Sequence, residues 1–218
     1  MKTGAVIFDM DGLLLDSERI ALRVFQEICG QYSLGDQFAL YMRILGTNNT
    51  TTRSILNTAL PADIDRNEFR MRWTDRYTEE TRKPVPLMKG VLALLDYLES
   101  CNIPKAVATS TDTDRALGKL GNAGIAHRFT TITGGDQITH GKPAPDIYLK
   151  AAASIQVDPH TCMALEDSPN GVKAALAAEM QVIQIPDLLQ PDDQLRSLGH
   201  TVLADLDAAI EHIAQRNR

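Results

Sequence analysis

Gly4-Ala5-Val6-Ile7-Phe8-Asp9-Met10-Asp11-Gly12 decides the reading of this chain. A short unbroken apolar run has the pattern of a strand buried on both faces, as in a parallel sheet. Two carboxylates one residue apart then follow at its end. Holding both there is costly without a positive charge between them, and a divalent cation with a phosphate would meet that cost. Gly12 gives the backbone freedom to turn at that point. Asp and Gly are also ordinary turn residues, so the tetrapeptide alone leaves a solvated turn open.

Three further segments bear on the choice. Ala106-Val107-Ala108-Thr109-Ser110 is an apolar strand ending in hydroxyls. Gly141-Lys142-Pro143-Ala144-Pro145-Asp146 fixes a lysine at a rigid turn before a helix. Cys162-Met163-Ala164-Leu165-Glu166-Asp167-Ser168 is an apolar run ending in paired acids. In open α/β sheets ligands bind outside the carboxyl ends of the strands. One site there would gather all four segments.

With these segments in this order, the chain resembles the haloacid dehalogenase superfamily, in its phosphatase branch with a helical cap. Within that branch it is similar to the group of β-phosphoglucomutases and small sugar-phosphate phosphatases. Phe8 to Arg19, Val24 to Cys29 and Met180 to Ile183 also resemble the pseudouridine-5'-phosphatases. The resemblance covers essentially the whole chain. It implies an α/β fold: a Rossmann-like parallel-sheet core over residues 1–15 and 85–218, with an inserted α-helical cap over 16–84.

Phosphoryl transfer needs a nucleophile, charge neutralisation and protonation of the leaving group. Asp9 is the candidate nucleophile, because a carboxylate can form an aspartyl-phosphate and divide hydrolysis into two steps. The candidate metal set is Asp9, the backbone carbonyl of Asp11, and Asp167, with Glu166 as a further or more distant ligand; oxygen donors suit Mg²⁺. Asp11 is then free to serve as acid on the leaving oxygen and later as base on water. Thr109 and Ser110 would grip phosphate oxygens, and Lys142 would neutralise them. Family dehalogenases lack a carboxylate at the position of Asp11, so phosphoryl chemistry is favoured over carbon–halogen cleavage.

The leading expectation is a Mg²⁺-dependent phosphatase acting on a small sugar phosphate or nucleoside monophosphate. A hexose-phosphate mutase is the alternative enzyme. The family's mutases carry a histidine at the cap entry and an arginine in a cap loop; Ala21 and Asn49 stand at the matching positions, with Arg53 one helical turn away. A phosphate-binding regulator without turnover is the alternative from another class, but binding alone does not call for Asp11.

At 218 residues the chain can bury a substantial core, and its net charge of −6 argues against nucleic acid as a partner. Cys29, Cys101 and Cys162 are widely spaced in apolar context and read as buried reduced thiols. The five histidines are scattered and read as surface or loop residues, with His140 nearest a motif. The apolar run before Asp9 is too short for a leader or a membrane span, so a cytoplasmic monomer with no membrane partner is expected.

Strands are expected at Ala5–Phe8, Lys105–Thr109, Thr130–Thr133, Met163–Leu165, Val182–Ile185 and, at the edge, Thr201–Leu203. Helices are expected at Val91–Ser100, Asp112–Ala123, Asp146–Ile155, Gly171–Ala178 and Leu206–Gln215, with Asp112, Asp146 and Asp205 as N-caps. The stretch 16–84 lacks strand-like runs. There Phe69, Trp73 and Tyr77 form one helical stripe for a packed core, and Arg66, Arg70, Arg72 and Arg76 a solvated face. Ser17 is expected to cap the first of these helices.

Overall fold

The computed structural model describes residues 2–47 and 49–218. In chain order it forms β1 (Ala5–Phe8), α1 (Ser17–Gln31), α2 (Phe38–Ile44), α3 (Asn49–Ala59), α4 (Arg66–Thr81), α5 (Val91–Ser100), β2 (Lys105–Ala108), α6 (Thr113–Asn122) and β3 (Thr131–Thr133). There follow α7 (Asp146–Ser154), β4 (Cys162–Glu166), α8 (Pro169–Ala177), β5 (Gln181–Gln184), α9 (Asp193–Arg196), β6 (Thr201–Val202) and α10 (Leu206–Asn217).

The strands make a six-stranded sheet in the order β3-β2-β1-β4-β5-β6, parallel at every pairing. Helices cover both faces, so every residue of β1, β2 and β4 is buried, which is why these strands are apolar except for Lys105 at the start of β2 and Glu166 at the end of β4. Alternation sends Val6 and Phe8 into one apolar cluster with Leu94, Leu98, Leu120 and Ile213. It sends Ala5 and Ile7 into the other, with Ile147, Ala151, Val172 and Ala175. The chain runs outward from β1 to β3, then returns to the opposite side of β1 at β4. This reversal opens a crevice at the carboxyl ends of β2, β1 and β4.

The four helices between β1 and α5 bury a core of their own, including Val24, Ile28, Leu40, Leu56 and Phe69. Phe25 is its hub, with the rings of Trp73, Tyr41 and Phe69 centred 5.0, 5.5 and 5.9 Å away. Two connections run side by side to the sheet: Asp16 N donates to Pro86 O (2.8 Å) and Met88 N to Leu14 O (3.0 Å).

Several local expectations are corrected. Strand ends shift by about a residue, and Thr109 lies just past β2. Helix α8 begins at Pro169, two residues before the expected start, because Ser168 caps it by accepting from Gly171 N. Asp205 caps α10, but Asp112 makes no capping bond, and Asp146 lies inside α7 with its carboxylate turned to His140. Ser17 is the first residue of α1, and its hydroxyl is spent elsewhere. Cys29 and Cys162 are buried, whereas Cys101 is exposed at the end of α5, where the helix meets solvent. Among the described residues no helix is long and apolar enough to cross a membrane.

Candidate active site

The backbone leaves β1 at Asp9 and closes a tight turn, with Gly12 N donating to Leu15 O and Leu14 N to Met10 O, both at 2.9 Å. Gly12 sits at φ +84°, and a Cβ there would collide with the Asp167 carboxylate. The turn that carries Asp11 is therefore packed directly against the end of β4. Glycine meets both requirements at once.

Lys142 reaches the same point from the loop before α7. Its ammonium donates to Asp9 Oδ1 and Glu166 Oε1, and to Ala108 O at 3.2 Å. Glu166 is fully buried, and Tyr148 OH also donates to its Oε1 (2.7 Å). Its Oε2 accepts from the backbone of Asp167 and Ser168 and from Ser168 Oγ. Both Glu166 oxygens are thus occupied in fixing Lys142 and the loop after β4.

A Cβ at Gly171 would fall on the Glu166 carboxyl group. Gly171→Ala is expected to cost about 1–3 kcal/mol through overpacking, even though alanine favours a helix by up to about 1 kcal/mol over glycine. Urea unfolding of the variant checks this, and unchanged stability would contradict the packing.

Asp9, Glu166 and Asp167 each place a carboxylate oxygen within 4.8 Å of the others. Three acids against one lysine leave the cluster short of positive charge. Burial, only partly countered by Lys142 and reinforced by Glu166, pushes the Asp9 carboxyl up to about 7. Burial, Glu166 and Asp9 hold Asp167 well above the usual carboxylate range. Burial would depress Lys142, but Asp9 and Glu166 more than offset it and keep the ammonium firmly protonated.

Asp11 has a different environment. Burial would raise its pKa, yet the carboxyl is held below its ordinary value by Lys119 Nζ (2.8 Å) and by hydroxyls of Ser17 (2.7 Å) and Thr111 (2.8 Å). Lys119 also donates to Tyr77 OH (3.0 Å), joining the sheet side to α4. Asp11 is ionised in this arrangement and ready to accept a proton, whereas the acid role needs it protonated.

Thr109 is buried, with Oγ1 accepting from Thr111 N (3.1 Å), and Ser110 is exposed beside it. Both line a cleft of about 980 Å³, as do Asp9, Asp11, Lys142 and Asp167. Fully buried Glu166 lies outside that lining. Ala21 and Asn49 also face the cleft, while His140 does not. Volume on this scale holds far more than a phosphate ion.

Lys119, Thr111, Tyr77 and Tyr148 are site residues that the sequence reading missed. Lys119 carried a signal, because it lies three residues from Ala116 on the buried side of α6, where a lysine needs a partner. The aromatic stripe also splits: Phe69 is core, while Trp73 and Tyr77 line the cleft as well. Arg66, Arg72 and Arg76 are tied to carbonyls or surface carboxylates, but Arg70 turns into the cleft rather than to a solvated face.

The family model for haloacid dehalogenase-like hydrolases matches residues 6–185. The phosphorylated carbohydrates phosphatase of Thermotoga maritima is 34% identical over 182 residues, covering 82% of this chain and 83% of that protein. The "probable pseudouridine-5'-phosphatase" of Drosophila melanogaster is 32% identical over 200 residues, covering 85% and 83%. A hydrolase of the same family from Deinococcus radiodurans, solved with bound phosphate and sodium, superposes with a TM-score of 0.82 at 26% identity, covering 98% of this chain and 96% of that one. A parallel sheet in this strand order, acids and a lysine at its carboxyl edge, and a family match over most of the length lead to one assignment: the chain belongs to the haloacid dehalogenase-like hydrolases.

Proposed function

We propose that this protein is a Mg²⁺-dependent phosphatase that hydrolyses a small phosphomonoester through an aspartyl-phosphate on Asp9, with residues 16–84 acting as its cap. The observation that carries the reading is the position of Asp9: at the end of the central strand, bonded to Lys142, beside Asp167 and facing the cleft shared with Thr109 and Ser110. Relatives named for carbohydrate phosphates and for pseudouridine 5'-phosphate support the substrate class.

The donor set fits a hard divalent cation, because the cluster is all oxygen and short of positive charge. Asp9, Asp167 and the backbone carbonyl of Asp11 would hold it; Glu166, whose oxygens are spent on Lys142 and the β4 loop, serves as an anchor instead. Bound there, Mg²⁺ neutralises charge on the transferring phosphoryl group.

The chain's own groups divide the remaining work. An Asp9 oxygen attacks phosphorus and the bond from phosphorus to the ester oxygen breaks, with a proton passing from Asp11 to the leaving oxygen. Water then attacks the phosphoryl group, the bond from phosphorus to the Asp9 oxygen breaks so that inorganic phosphate leaves, and the proton lost by the water returns to Asp11. The second half suits Asp11 as the Lys119 pair holds it. The first half requires Asp11 to be loaded with a proton against that pair's pull. Lys142 and the Thr109–Ser110 hydroxyls orient the phosphoryl oxygens.

A mutase must keep water from the phosphoenzyme while a bisphosphate turns round and reacts again. Ala21 faces the cleft without a donor or a proton to offer, and Asn49 faces it without charge. β-Glucose 1-phosphate with a trace of glucose 1,6-bisphosphate is therefore expected to yield inorganic phosphate and little glucose 6-phosphate. A phosphate-release panel of sugar phosphates and nucleoside monophosphates, with and without Mg²⁺, tests the main reading. Rapid isomerisation without phosphate release would favour the mutase, and no turnover of any monoester would favour a binder.

A further inference from the structure

Arg70 on α4 lines the cleft and is half-buried, and among the described residues it has no hydrogen-bond or ion-pair partner. Its helical neighbours are engaged. Arg66 donates to the carbonyls of Ile64 (2.6 Å) and Leu60 (3.0 Å), Arg72 pairs with Glu68 (2.8 Å), and Arg76 pairs with Glu80 (2.7 Å) and Glu27 (3.0 Å). The other described cations on the cleft wall are also used: Lys142 by Asp9 and Glu166, and Arg115 by Thr78 Oγ1 (3.1 Å).

Arg53 of α3, exposed and outside the cleft lining, lies near enough for its positive charge to act on Arg70. Partial burial and then Arg53 hold the Arg70 guanidinium below its ordinary range. A half-buried guanidinium that faces a like charge and no counter-ion is suited to receive an anion. The phosphoryl group undergoing transfer is held at the sheet edge by Lys142 and the Thr109–Ser110 hydroxyls, so it leaves Arg70 free. The neutral side chains of Asn49, Thr50 and Thr52 line the cleft from α3. The cleft thus presents acids at the sheet edge and Glu18 on α1, whose carboxylate accepts from Tyr41 OH (2.8 Å), with an unmatched guanidinium on α4.

We propose that Arg70, reinforced by Arg53, is the specificity-determining residue that receives a second anionic group of the substrate, a phosphate or a carboxylate. The inference rests on the phosphatase reading above and narrows its substrate class to phosphomonoesters that carry a second anionic group. A planar guanidinium suits either group, because both present paired oxygens to its fork of donors. The charge that Asn49 does not supply then comes from the neighbouring helix. Ala21 still leaves hydrolysis rather than isomerisation as the outcome.

The test compares kcat/KM, with Mg²⁺ present, for glycerol phosphate against phosphoglycerate and for glucose 1-phosphate against glucose 1,6-bisphosphate. para-Nitrophenyl phosphate serves as the reference monoester. At least one member with the second anionic group is expected to lead its counterpart lacking that group by about ten- to a hundredfold, and the pair that responds identifies carboxylate or phosphate. Arg70→Gln should bring that ratio close to one, Arg53→Gln should lower it part of the way, and Arg43→Gln, on α2 outside the cleft lining, should leave it unchanged. Matched thermal unfolding of the variants excludes misfolding. Ratios near one in the parent protein while para-nitrophenyl phosphate is turned over would overturn this inference alone, as would a ratio unaltered by Arg70→Gln. No turnover of para-nitrophenyl phosphate would overturn the phosphatase reading and this inference with it.

Discussion

Asp9→Asn is expected to reduce phosphate release by at least about a thousandfold, equivalent to about 4 kcal/mol or more of lost transition-state stabilisation. The amide keeps the shape of the side chain but lacks the anionic oxygen that attacks phosphorus. The loss should fall on kcat, since Lys142, Thr109 and Ser110 remain to bind the phosphate. The same substitution removes one negative charge from a buried group of three. Thermal unfolding without divalent ions should therefore show the variant at least as stable as the parent, although Lys142 exchanges a charged partner for a neutral one. Wild-type turnover in a folded Asp9→Asn protein would remove Asp9 from the mechanism.

Chelation of divalent ions is expected to abolish turnover, and added Mg²⁺ to restore it. It should also lower stability in a pH-dependent way. The Asp9 carboxyl titrates at about 7 in the folded metal-free protein, above its ordinary value of 3.8. The folded state then binds the proton more tightly than the unfolded chain. The stabilisation this gives is full below about pH 4 and is lost as pH rises through 7. Asp167, raised for the same reasons, acts in the same direction. A bound cation favours the ionised carboxylates, so the gain in Tm on adding Mg²⁺ should be larger at pH 8 than at pH 6. A gain that shrinks with rising pH, or full activity in chelator, would count against the metal site. Asp167→Ala should raise the Mg²⁺ concentration needed for half-maximal activity more than Glu166→Ala. The latter should instead lower kcat at saturating Mg²⁺, because Lys142 loses its anchor.

The sequence by itself determined the sheet and the positions of its polar ends. A continuous apolar run that stops at Asp9, Thr109 or Glu166 reports burial on both faces up to that residue, and this information is local. Helical spacing across 16–84 likewise reported helices with a shared apolar face. Only the tertiary structure decided how the polar side chains are partnered. Ser17, a reasonable cap by position, donates to Asp11 because the turn after β1 brings that carboxylate alongside the start of α1. Lys119 meets the same carboxylate from 108 residues away. Glu166 and Asp167 are adjacent acids in the sequence, yet the packing of α8 and Lys142 encloses the first and leaves the second facing the cleft. Arg70 and Arg72 read alike in the chain, but the rotation of α4 about its axis sends one into the cleft and the other to Glu68. Periodicity along a chain fixes which side of an element is buried. The partner of each buried charge depends on which distant element packs there, and that is set by the crossings of the whole fold.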